Sequence, residues 1–95
     1  MAAYLSTTIK LKDPGAFTDY AAKARATILA HDGEIVMIGK LTGALVGTPN
    51  HQFEAVFRFA DAAALDAWYN SAEYQALIPV RDAGADVVFK VLEDM

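Results

Sequence analysis

The spacing of apolar residues in this chain switches between the period of a strand and that of a helix, and the order of those switches leaves few folds open. Residues Tyr4 to Leu11 alternate, with Leu5, Thr7, Ile9 and Leu11 on one side and Tyr4, Ser6, Thr8 and Lys10 on the other. That is the pattern of a half-buried strand. Lys12-Asp13-Pro14-Gly15 follows as a helix start, because Asp13 can accept from free amide groups and Pro14 suits the first helical position. Phe17, Tyr20, Ala21, Ala24 and Ile28 recur at helical spacing, and Lys23 and Arg25 fall outside that stripe. His31-Asp32-Gly33 ends the helix, with Gly33 expected in the left-handed cap.

Glu34 to Leu41 and Phe53 to Phe59 read as two further strands, joined by a loop from Thr42 to Asn50 that carries glycines and a proline. The second of these strands sets Phe53, Ala55, Phe57 and Phe59 on one face and Glu54, Val56, Arg58 and Ala60 on the other. Asp61 can cap a helix containing Leu65, Trp68 and Tyr69, which Asn70-Ser71 interrupts before a second piece through Tyr74 and Leu77. Pro79 ends or restarts that piece, and Asp86 to Leu92 alternates as a last strand.

The resulting βαββαβ order is that of a ferredoxin-like α+β fold, a four-stranded antiparallel sheet with both helices on one face. The expectation is a single ferredoxin-like domain over residues 1–95, since a second core would need roughly 50 more residues. The far face of the sheet then carries Tyr4, Ser6, Thr8, Val36, Ile38, Glu54, Val56, Arg58, Val88 and Leu92. This set is too apolar to face water and too polar for an ordinary core, and pairing face to face with a second copy would bury it in a homodimer.

Charge and composition exclude several partners. Eight basic residues, scattered singly, stand against twelve acidic ones for a net charge of −4, which argues against nucleic acid. The chain has no cysteine, so disulfides, thiolate nucleophiles and iron–sulfur ligation drop out. The opening residues lack the basic and long apolar regions of a secretory leader, and no stretch approaches the roughly 18 apolar residues of a membrane span. A cytoplasmic protein without membrane contact is expected. His51 and Glu54 have an H-x-x-E spacing, but within a strand residues three apart face opposite sides and cannot share a metal. Neither a metal site nor a dissociable cofactor is expected.

The strong catalytic motifs are absent, so the candidates are single residues. His31 continues the buried stripe of the first helix; it is either a histidine favoured by the helix C-terminus or a general base. Glu54 and Arg58 lie on one face but roughly 13 Å apart at about 3.3 Å per residue, so each needs another partner. For Arg58 that partner is a protein carboxylate or an anionic ligand. Arg81 can bind an anion or pair locally with Asp82 or Asp86. Trp68 packs helix on sheet or walls a pocket, and Tyr74 can turn its hydroxyl toward that pocket.

Several of these residues carry a family resemblance. Tyr4-Leu5 at a strand start, Asp13-Pro14-x-x-Phe17-x-x-Tyr20, Ala30-His31-x-Gly33 and above all Ala67-Trp68-Tyr69-Asn70-Ser71-x-Glu73-Tyr74-Gln75-x-Leu77 resemble the bacterial domain of unknown function 1330 family. The resemblance spans nearly the whole chain and implies a dimeric α+β barrel, in which two ferredoxin-like sheets pack face to face. The wider superfamily includes cofactor-free monooxygenases and muconolactone isomerases, so it implies small-molecule chemistry only as a class. Members often carry acidic residues where this chain has Thr8 and Arg58, and a more basic segment around Ile78 to Gly84; a site built on those carboxylates could not operate here.

Together these readings describe a homodimer that binds, and in its catalytic form transforms, a small organic molecule in a cleft between sheet and helices without metal. His31 and Tyr74 are the catalytic candidates, Arg58 and Arg81 would hold the substrate, and Trp68 would form a wall. The alternatives are a non-catalytic ligand carrier or structural dimerisation module, and, by superfamily analogy, a cofactor-free monooxygenase.

Overall fold

The computed structural model describes residues 1–95. Strand β1, Ala3–Leu11, alternates buried and partly open residues over most of its length because it lies inside the sheet, flanked on both edges. The helix after it, α1 (Pro14–Ala30), begins where the Asp13 carboxylate accepts from the backbone N–H groups of Gly15 and Ala16, at 3.0 and 3.2 Å. Its inward stripe is Tyr20, Ala24 and Ile28.

The end of α1 differs from the expectation. Asp32, not Gly33, takes the left-handed conformation, with φ 61°. Gly33 is needed for space: a Cβ there would lie 2.6 Å from Ile28 Cγ2 and 2.9 Å from Phe59 Cε1. An aspartate tolerates the left-handed region, whereas nothing larger than hydrogen fits the next position.

Strands β2 (Glu34–Lys40) and β3 (Phe53–Phe59) form a hairpin, and the last strand, β4, spans Ala85–Glu93. The sheet order is β2-β3-β1-β4 with antiparallel pairing throughout, as the ferredoxin-like expectation requires. One register detail corrects the sequence reading. Ile35 pairs with Phe57 but Met37 pairs with Val56, so Val36 is an extra residue in a bulge. Beyond the bulge the face parity inverts: Ile38 sits opposite Ala55 on the helix side, and Met37 takes the far face.

Asp61 caps α2 (Ala62–Tyr69) by accepting from the Ala64 N–H at 2.8 Å. The chain then breaks at Asn70-Ser71, as read, and Ser71 starts the single turn α3 (Ala72–Gln75). Pro79 restarts rather than ends the structure, at the head of α4, Ile78–Gly84. This last helix runs against the start of α1 so closely that a Cβ on Gly84 would come within 2.7 Å of the Phe17 backbone nitrogen. The Gly84 carbonyl accepts from both Lys12 and Asp13, locking the two segments together.

All helices lie on one face of the sheet, over a core in which Trp68, Tyr74 and Phe59 are the largest fully buried side chains. The opposite face is bare. Reading across it from β2 to β4, the rows are Glu34–Arg58–Tyr4–Leu92, Met37–Val56–Ser6–Lys90 and Gly39–Glu54–Thr8–Val88.

Candidate functional site

Small residues face each other between α1 and the sheet, and that fixes where the site lies. Ala21 and Ala24 on the helix and Thr7 on β1 and Ala55 on β3 line the gap between the layers, and their short side chains leave it unfilled. The space left is a cavity of about 490 Å³. Phe17, Phe53, Phe57 and Phe89 supply aromatic walls, Ile9 and Ile38 aliphatic ones, and Trp68 another wall. Sixteen of the twenty lining residues are hydrophobic, which sets the chemistry of anything bound there. Ile38 is 48% exposed, so the cavity meets solvent along β2, the strand no helix covers.

Polar groups at the cavity are few. Thr7 is 3% exposed, and its hydroxyl donates to the Ala55 carbonyl at 3.1 Å, which satisfies the one polar group on the buried face of β1. Thr18 donates to the Pro14 carbonyl. Arg25 lines the cavity from α1 and is exposed.

Behind Tyr20 lies a hydrogen-bonded chain. The Tyr20 and Tyr74 hydroxyls are 2.8 Å apart, and Arg81 donates to the Tyr74 hydroxyl at 3.2 Å while its Nε donates to Asp82 at 2.9 Å. Burial pushes the Tyr20 phenol far above the ordinary tyrosine range, helped by Tyr74, and burial likewise raises Tyr74. For Arg81, burial opposes the charge, but hydrogen bonds to Asp82, Tyr74 and Tyr69 outweigh it and hold the guanidinium above its usual value. Arg81 also lies over the Phe89 ring, 5.4 Å from its centroid. Trp68 packs on Tyr74 with centroids 4.4 Å apart, and its indole N–H donates to Thr27 at 3.0 Å.

The sequence candidates therefore divide into three places. Tyr74, Arg81 and Trp68 come together, with Trp68 on the cavity wall; the Tyr74 hydroxyl turns to Tyr20 and Arg81 instead of the cavity. His31 stands apart at the end of α1, where Nε2 is 3.6 Å from Glu73 Oε2. The Glu73 carboxyl is held below its usual range by its own backbone N–H, with His31 and Ser71 adding to the effect. Arg58 is on the far face of the sheet, 4.0 Å from Glu34, and cannot reach the cavity. A cleft that joins Arg58 to Tyr74 is thus corrected by the pleat, since the sheet separates them.

His51 departs from the reading too. It precedes β3 instead of lying in it, so strand parity does not apply, and its Nε2 reaches Glu54 Oε2 at 2.9 Å. Thr7, Tyr20 and Arg25 line the cavity and lie outside the set of site residues that the sequence points to. Thr7 was legible as the one polar residue in an apolar row, whereas Arg25 falls outside the helix stripe and reaches the cavity from its flank.

The four-stranded sheet with helices on one face, enclosing a cavity beneath α1, defines a ferredoxin-like α+β protein. The family profile described as domain of unknown function 1330 matches residues 2–95, and the chain belongs to that family. No protein of curated function matches it. Among solved structures, a protein of unknown function from Rhodopseudomonas palustris is similar at TM-score 0.84 and 16% identity, over 99% of this chain and 82% of that one. SnoaB, a cofactor-independent oxygenase from Streptomyces nogalater, is similar at TM-score 0.74 and 10% identity, over 99% and 93%. A dimeric ferredoxin-like protein of unknown function from Jannaschia is similar at TM-score 0.72 and 17% identity, over 99% and 100%. At these identities the likeness speaks for the fold.

Proposed function

We propose that this protein is a homodimer that binds a small, mainly apolar organic molecule in the cavity between α1 and the sheet. The observation that carries this reading is the cavity itself, about 490 Å³ with sixteen hydrophobic lining residues of twenty. Water against walls of this kind finds few protein partners, so an apolar occupant that buries those walls is favoured over solvent. Binding is preferred to turnover as the role of this site. His31 and Tyr74 are absent from the lining, and the Thr7 hydroxyl is already engaged, so no free acid or base meets a ligand there. An oxygenase role like that of SnoaB would need the bound molecule itself to supply the reactivity, and it is the second reading for that reason.

The dimer rests on the bare sheet face. Met37, Val88 and Leu92 are 63, 56 and 54% exposed on it, interleaved with Tyr4 and Val56, and the similar Jannaschia protein is described as dimeric. Two copies related by a two-fold axis would cover these residues at once.

The test of binding is a titration with decanol followed by amide NMR shifts, in the wild type and in Ala21→Leu, whose added carbons occupy the cavity. Saturable shifts at Thr7, Ala21 and Ala55 are expected in the wild type, and weaker binding in the variant, which keeps its fold but has less room beneath α1. Resonances at these positions that ignore decanol up to saturation would overturn the reading.

A further inference from the structure

We infer, building on the cavity reading, that the natural ligand is an amphipathic anion whose apolar body fills the cavity and whose acid group meets Arg25 at the mouth. Arg25 is the only charged side chain lining the cavity, and it is exposed on the flank of α1. It has no ion pair. The other basic residue in the middle of α1, Lys23, is bound to Asp19, while Lys12, Arg58 and Arg81 have their own carboxylates. The positions within helical reach of Arg25 are Ala21, Ala22, Ile28 and Leu29, all apolar, so its own helix offers no partner. In a chain of net charge −4, the one cation beside the apolar cavity is thus left unneutralised.

The interior cannot take the charged end. The Thr7 hydroxyl donates to the Ala55 carbonyl and the Tyr20 hydroxyl is engaged with Tyr74, while the other inner walls are hydrocarbon and aromatic, so a carboxylate drawn inside would lose its hydration without replacement. At the mouth the same group stays hydrated and gains the guanidinium, which presents a planar fork of donors to a carboxylate. Thr18, also on the lining, keeps its hydroxyl oxygen free to accept after donating to Pro14. A cationic head would meet Arg25 as a like charge. The cavity therefore selects by head-group sign as well as by apolar volume.

Calorimetric titration of the intact protein with decanoate, decanol and decylammonium, in the wild type and Arg25→Gln, tests this. The wild type is expected to bind decanoate tightest and decylammonium weakest. Because Arg25 is exposed, Arg25→Gln should weaken decanoate about fivefold and leave decanol unchanged. A decanoate-to-decanol ratio that is the same in both proteins would overturn the anionic assignment and leave the cavity reading standing. Failure of all three probes to bind the folded wild type would overturn both.

Discussion

Removing the phenolic oxygens of Tyr20 and Tyr74, singly and together, tests the buried network at the level of individual hydrogen bonds. Both rings are buried, and Phe keeps their packing, so the substitutions isolate the hydroxyls. Tyr20→Phe deletes one neutral bond, the 2.8 Å contact to Tyr74, and should cost about 1 kcal/mol. Tyr74→Phe deletes that bond and also strips Arg81 of an acceptor at 3.2 Å, a bond to a charged donor worth about 1.5 to 3 kcal/mol. Its total should be about 3 kcal/mol. In the double variant the shared bond is lost only once, so it should be scarcely less stable than Tyr74→Phe alone, giving a coupling of about 1 kcal/mol. Equilibrium urea unfolding at one fixed protein concentration measures all four corners, the common concentration holding the contribution from association equal among variants that pair equally. Single-variant costs that add to the double within about 0.5 kcal/mol would refute the shared bond.

Three further outcomes follow from the same structure. Gly84→Ala forces a Cβ to 2.7 Å from backbone, which no side-chain rotation relieves, and should cost roughly 2 to 3 kcal/mol in urea unfolding. Tyr20 and Tyr74 have folded-state pKa values raised above the ordinary 10.0, so their contribution is complete below pH 10 and is lost as pH rises past that value, where only the unfolded chain ionises. Alkaline titration should accordingly show phenolate absorbance from these two rings arising together with loss of near-ultraviolet circular dichroism, not before it. Val56→Glu places a charge at the centre of the bare sheet face, and sedimentation velocity should show a monomer, against the dimer expected of the wild type.

How far the sequence reaches is clear from particular residues. Alternation in Tyr4 to Leu11, the Asp13-Pro14 start and the Asp61 cap are local signals, and each element formed where its own residues direct it. The bulge at Val36 is not local: β2 carries apolar residues on both faces, so nothing within it betrays an extra residue, and simple alternation puts Ile38 on the wrong side. The same holds for Gly33, whose need for space comes from Phe59, 26 positions on in the chain. At the site, Trp68 and Tyr74 stood out as aromatic rings with polar tips, but their partners Thr27 and Tyr20 lie 41 and 54 residues away. The cavity was legible only in hindsight, because a void is made by small residues on two separate elements, here Ala21 and Ala24 against Thr7 and Ala55.

Native mass spectrometry of gently purified protein tests the dimer and its ligand together, since one spectrum gives both stoichiometry and any retained molecule. The expected species is a dimer carrying a discrete adduct of small mass, displaced by decanoate and reduced in Ala21→Leu. An adduct that decanoate does not displace, or a wild type that stays unliganded in excess decanoate, would contradict that reading.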